Sequence, residues 1–188
     1  MQYVIFLVLA TIGISLQILA NMGFFNVNPY LVFRQTQNII SKHEPVSISI
    51  PSIRVDTTVH RVGIDKQGKM DAPRNESVVA WYQFSAAPGD KGNMVISGHK
   101  DSKFGPGVFF TLKNIPDQAE IKITRADQQI KIYNVREVHK YNRDNFPVKE
   151  IFEGNSRQKI LYLITCEGTF DIFRQVYDDR IVVKAQAS

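Results

Sequence analysis

The first 33 residues, Met1 to Phe33, contain no Asp, Glu, Lys or Arg, whereas the 23 Lys/Arg and 18 Asp/Glu of this 188-residue chain all fall from Arg34 onward. Within that uncharged segment, Tyr3–Ala20 is an apolar run interrupted only by Thr11, Ser15 and Gln17. As a helix it would be roughly 27 Å long, against a hydrocarbon layer of about 30 Å. A buried core helix would keep a polar face, and this run is apolar nearly all round. A cleaved leader would start with a basic region and end in small residues. Met1-Gln2 and Ile18-Leu19-Ala20 supply neither. The expectation is a transmembrane signal anchor over 1–22 and a stalk over 23–43, whose Phe24, Phe25, Tyr30 and Phe33 suit a membrane interface. Arg34 alone tips the carboxyl side toward the cytoplasm, a weak signal that does not decide the orientation.

The remaining length, 44–188, fits one ordinary domain. At 44% hydrophobic and 22% charged residues the chain has the balance of a packed globular protein. One cysteine excludes an internal disulfide framework and any multi-cysteine metal site. The net charge of +5 and pI near 9.3 are compatible with an anionic partner. No phosphate loop, zinc-finger spacing or RNA-binding aromatic motif is present, so nucleic acid is not expected. No group of carboxylates is dense enough to hold calcium.

Beyond Lys42 the dominant hydrophobic period is two, the signature of strands with one face inward. Val46, Ile48 and Ile50 alternate with Ser47 and Ser49 before Pro51, and Ile53, Val55, Thr57 and Val59 continue the pattern. Met94–Ile96 follows the turn residues Pro88-Gly89-Asp90-Lys91-Gly92. Ile121–Thr124, Ile130–Val138, Ile160–Thr165 and Ile181–Ala185 complete the set, with short helical signals at Val108–Leu112 and Asn145–Ile151. Seven or so short strands with turn residues between them predict an all-β sandwich or barrel.

The candidate chemistry begins with Cys166, which ends the apolar strand Ile160-Leu161-Tyr162-Leu163-Ile164-Thr165. Free cysteine is commonly a small buried hydrophobe, yet strand-to-loop junctions often display reactive groups. His99 follows another apolar strand in Ile96-Ser97-Gly98-His99 and is the best partner among the four histidines. A neighbouring imidazole can take the proton of a thiol and later protonate a leaving amine. A fixed cation can stabilise the oxyanion that forms on a carbonyl under attack. Arg180 opens the final strand and is a candidate for that role, with Arg174 as its local competitor. On residue chemistry alone, an enzyme and a β-domain with a merely buried cysteine remain level.

Together these segments resemble the sortases, the cysteine transpeptidases of bacterial envelopes. Tyr162-Leu163-Ile164-Thr165-Cys166 is similar to the family's Thr-Leu-x-Thr-Cys signature, with Tyr162 replacing its first threonine. Val95-Ile96-Ser97-Gly98-His99 resembles the histidine segment, and Arg180-Ile181-Val182-Val183 the arginine-led last strand. Gly105-Pro106-Gly107-Val108-Phe109-Phe110, Phe170-Asp171 and Trp81-Tyr82 resemble class F first and class E next. The resemblance implies a closed eight-stranded barrel with short helices. It implies Cys166 as nucleophile, His99 as acid/base and Arg180 as oxyanion stabiliser, with Thr165 and Glu167 as candidate support for substrate or oxyanion. No cofactor or metal is implied. The implied partners are surface proteins bearing a C-terminal LPXTG-like sorting motif and an amine acceptor, either a cell-wall precursor or a pilin lysine. The domain would then lie outside the cell membrane on a single-pass anchor.

Two features qualify the match. A carboxylate at Glu167 would disfavour the thiolate unless it points away, and Asp101 reads more naturally as a turn residue with Ser102 than as an orienter of His99. Two other readings compete: a cysteine hydrolase using the same residues with water as acceptor, and a non-catalytic envelope β-domain.

Overall fold

The computed structural model describes residues 42–188 apart from positions 67, 74, 155 and 156. The expected anchor over 1–22 and nearly all of the stalk over 23–43 lie outside the described residues. Among the described residues no helix is long and apolar enough to cross a membrane.

Among the described residues ten strands form: β1 (Pro45–Ile50), β2 (Val55–Val62), β3 (Val79–Tyr82), β4 (Gly92–Gly98), β5 (Asp101–Ser102), β6 (Gly105–Pro106), β7 (Glu120–Arg125), β8 (Ile130–Asn142), β9 (Lys159–Asp171) and β10 (Val176–Ala187). Eight of them close into a barrel in the order β1-β2-β3-β4-β9-β10-β8-β7, and β5 and β6 make a separate small hairpin. Closure leaves the barrel itself without a free edge. Within 44–188 the described helical structure consists of single turns, among them Leu112–Asn114 and Lys149–Glu153. The expected helix at Val108–Leu112 is instead a set of turns, and the signal at Asn145–Ile151 resolves into the turn at Lys149–Glu153.

The alternation read from the sequence sorts side chains to the two faces of the barrel wall. Ile48, Ile50, Ile96, Ile121, Ile123, Leu161, Leu163, Ile181 and Val183 fill the interior. The opposite parity on β4, β9 and β10, namely Val95, Ile160, Tyr162, Ile164 and Val182, forms a second apolar cluster on the outer face. Met70, Tyr82, Tyr141, Phe146 and Phe152 cover it, and Ile151 is buried within it. That second cluster explains why β9 reads as an unbroken apolar run: both of its faces are packed. Asn93 Nδ2 donates to Glu150 O at 2.8 Å, tying the Lys149–Glu153 turn to β4 at the edge of this layer.

β4 and β9 run parallel, and β9 and β10 antiparallel, so the carboxyl ends of β4 and β9 and the start of β10 meet at one rim. That rim carries the candidate chemistry.

Candidate active site

Three neighbouring strands deliver the three candidate residues. Cys166 on β9 and Arg180 on β10 are directly paired across the antiparallel ladder, and opposed residues project from the same face of a sheet. The parallel β4–β9 ladder pairs Ser97 with Ile164. That is the last pair of the ladder and β4 ends at Gly98, so His99 is the first residue past the strand, next to the β9 segment that holds Cys166. A buried bond joins the two strands one step further, where Thr165 Oγ1 donates to Gly98 O at 2.8 Å. Residues 67 positions apart are thus brought side by side by the sheet.

The loop holding His99 is clamped from both sides. Phe109 N donates to His99 O at 2.9 Å and Gly107 N to Lys100 O at 2.7 Å. Gly107 has to be glycine here, because a Cβ would lie 2.5 Å from His99 O. Gly98 is equally hemmed in, with a built Cβ 2.6 Å from the Phe109 ring. His99 Nε2 lies 2.8 Å from Pro73 O. A carbonyl oxygen can only accept, so this bond requires the proton on Nε2 and leaves Nδ1 as the basic nitrogen of the neutral ring.

Arg180 is fixed by its own strand: Nη1 donates to Tyr177 O at 3.0 Å and to Asp179 O at 2.7 Å. Arg174, its competitor in the sequence reading, lies at the exposed turn between β9 and β10 against Asp171, 3.8 Å away.

Thr165 and Glu167 were expected to support substrate or oxyanion, and both stand on the face opposite Cys166. Thr165 is 4% exposed and points inward with Leu163, its hydroxyl committed to Gly98. It braces the end of β4, immediately before His99. Glu167 reaches Lys113 Nζ at 3.2 Å and Lys100 Nζ at 3.7 Å. Burial works to raise its pKa, but the Gly168 N–H and the two ammonium groups outweigh burial and hold the carboxyl below its usual range. Glu167 alternates in facing with Cys166 along β9, and two ammonium groups compensate its charge.

A family model described as the sortase domain matches residues 48–188. The chain belongs to the sortase family. Sortases are cysteine transpeptidases, and the one cysteine available to this sortase is Cys166. Sortase A from Corynebacterium diphtheriae, as a lid mutant, is 25% identical over 87% of this chain and 81% of its own, with a TM-score of 0.59. Sortase C-1 from Actinomyces oris is 18% identical over 86% of this chain and 81% of its own, with a TM-score of 0.61. A Clostridium perfringens sortase D5 transpeptidase is 21% identical over 86% and 89%, with a TM-score of 0.58. At 18% and 21% identity the last two establish shared fold alone. No curated protein matched the sequence significantly.

The surroundings of this thiol favour its protonated form. Burial pushes the Cys166 pKa up, the Arg180 guanidinium pulls it down, Asp101 pushes it up again and Lys100 lowers it, with a net upward shift. Asp101 is therefore more than a turn residue. Its carboxylate accepts a bond from Tyr177 Oη, which straps the β5–β6 hairpin to β10. Lys100 Nζ sits 4.8 Å from the centre of the Tyr177 ring. Neither Tyr177 nor the Pro73 carbonyl was singled out in the sequence. A backbone carbonyl leaves no mark in residue identity, whereas Tyr177 stands three positions before Arg180 on the same strand, which begins at Val176 and not at Arg180 as the sequence suggests.

Proposed function

We propose that Cys166 attacks the carbonyl of a sorting-motif peptide, with His99 as acid/base and Arg180 as oxyanion stabiliser. The observation that supports this reading is the direct pairing of Cys166 with Arg180, with His99 following the neighbouring strand at Gly98, which Thr165 holds to β9. Proton transfer from the thiol to His99 Nδ1 generates the thiolate during reaction, so a raised resting pKa does not prevent attack. Negative charge then develops on the carbonyl oxygen, where one oriented donor is worth about 2.7–4 kcal/mol. Arg180 suits that task because two backbone carbonyls already fix its guanidinium. The imidazolium protonates the leaving amine, and the acyl chain remains on Cys166 as a thioester until an amine takes it.

The substrate is an LPXTG-like motif cut after its threonine, and the acceptor is a cell-wall precursor or a pilin lysine. The apolar segment over 1–22 holds the domain at the outer side of the cell membrane. Among sortase classes the Gly105–Phe110 and Phe170-Asp171 segments favour class F, then class E. Incubating the full chain with an LPXTG peptide, with and without a primary amine, tests the transpeptidase reading. Formation of the amine adduct supports it. Cleavage with water alone as acceptor, at every amine concentration, overturns it in favour of a hydrolase.

A further inference from the structure

His99, Lys100 and Asp101 follow one another out of β4, and the two residues after the histidine are each bound to the strand pair that carries Cys166 and Arg180. Lys100 Nζ lies 3.7 Å from Glu167 Oε1 on β9. The same ammonium sits 4.8 Å from the centre of the Tyr177 ring on β10. Tyr177 Oη in turn donates to the Asp101 carboxylate. The side chains of Lys100 and Glu167 are 14% and 15% exposed. A lysine ordinarily packs its stem and leaves its head in water, so an ammonium this enclosed is held by its partners. Lys113 also reaches Glu167, at 3.2 Å, but its side chain is 48% exposed and it belongs to the separate Leu112–Asn114 turn.

We propose that Lys100 is a positioning residue, whose ion pair with Glu167 latches the loop that begins at His99 onto the strand that holds Cys166. The inference rests on the transpeptidase reading above. Lys100 is the chain neighbour of His99 and Glu167 that of Cys166. The pair therefore bridges the acid/base and the nucleophile one residue away from each. On the other side of the loop, Phe109 N and Gly107 N hold the carbonyls of His99 and Lys100. Those bonds fix the main chain to the 107–109 segment, and the ion pair supplies the hold on β9. With Lys100 gone, Glu167 keeps Lys113, which belongs to a different turn.

The ammonium also has an electrostatic consequence. The charges that act on Cys166 come from three strands or loops: Arg180 on β10 and Lys100 favour the thiolate, and Asp101 opposes it. Facing Lys100 itself are Glu167 from β9 and the neutral phenol of Tyr177 from β10. A variant that keeps the stem of Lys100 and removes its charge thus alters both the latch and the thiol.

The test measures two quantities on the full chain: the pH profile of Cys166 alkylation by iodoacetamide, and kcat/KM for an LPXTG peptide. Lys100→Met is expected to move the alkylation profile to higher pH, opposite to Asp101→Asn, and to lower kcat/KM about tenfold, a usual size for a broken contact in one ion-pair network. Lys100→Arg is expected to restore most of both, and Lys100→Gln serves should Lys100→Met not fold. Lys113→Met takes the other ammonium from Glu167 and is expected to leave the profile in place. Glu167→Gln opens the latch from its other end, so the double variant with Lys100→Met should lose no more kcat/KM than the worse single variant. An unmoved profile in Lys100→Met, an equal movement in Lys113→Met, or losses that simply multiply in the double variant overturn the latch alone. Failure of the wild type to process the peptide overturns the transpeptidase reading and the latch with it.

Discussion

Cys166 and Arg180 are cross-strand partners at the rim of the barrel, and Arg180 is held there by the carbonyls of Tyr177 and Asp179. The guanidinium lowers the pKa of a thiol that burial has raised, and its position is set before any substrate arrives.

Removal of that cation has two separable effects. Arg180→Ala is expected to lower kcat by about 10²–10³, the usual loss of one oxyanion donor. It should also slow alkylation of Cys166 by iodoacetamide at a fixed pH, because the thiol pKa rises further. A normal kcat in this variant would exclude the oxyanion role.

Asp101 acts on the thiol with the opposite sign. Its carboxylate disfavours the thiolate, so Asp101→Asn should move the pH profile of Cys166 alkylation to lower pH. A profile that stays in place would mean that the two groups do not sense each other's charge in solution.

Tyr177 reports on the same strap. Its hydrogen bond to Asp101, helped by burial, pushes the phenol from an ordinary 10.0 up to about 12. The neutral phenol donates to a carboxylate, so the strap is complete below pH 10 and is lost as pH rises from 10 to about 12. Ultraviolet titration of the full chain should show a late-ionising tyrosine near pH 12 that Tyr177→Phe removes. Asp101→Asn should bring it back toward 10.

The clamp on the histidine loop is open to a minimal change. Gly107→Ala drives a methyl group against His99 O, where only 2.5 Å is available. A displacement of the order of 1 Å costs about 10²-fold in rate. The expected result is a fall of that order in kcat/KM with Cys166 still open to alkylation. Activity within twofold of wild type would show that the loop yields without moving the imidazole.

Much of this arrangement was legible because period-two alternation records which face of a strand is buried. β1, β2 and β7 were readable from such alternation, and β9 and β10 as longer continuous apolar runs. β3 was not, because Val79, Ala80 and Trp81 are buried one after another and leave no alternation to read. The β5–β6 hairpin was hidden for a different reason: two-residue strands have no period. Among the site residues, Cys166, His99 and Arg180 were reachable because each stands where an apolar run ends or begins, although β9 runs on to Asp171 and β10 already starts at Val176. Thr165 and Glu167 were named without their facing being used, although parity along β9 already set them opposite Cys166. The Pro73 carbonyl and the Tyr177 strap depend on how the loops close, which local pattern does not encode.

Thr165 offers a test of bracing as distinct from chemistry. Thr165→Val keeps the shape but leaves Gly98 O without its buried donor, a loss of about 1–3 kcal/mol in unfolding free energy. Denaturant midpoints of the full chain measure it, and an unchanged midpoint would show that the bond contributes nothing.

The central claim is that Cys166 takes over the acyl group. Mass spectrometry of the full chain, quenched in acid during turnover of an LPXTG peptide, tests it most directly. The expected result is a hydroxylamine-labile adduct with the mass of the acyl fragment, located on the β9 peptide at Cys166 and absent from Cys166→Ala. Processing of the peptide without that adduct, or by Cys166→Ala at the wild-type rate, would contradict it.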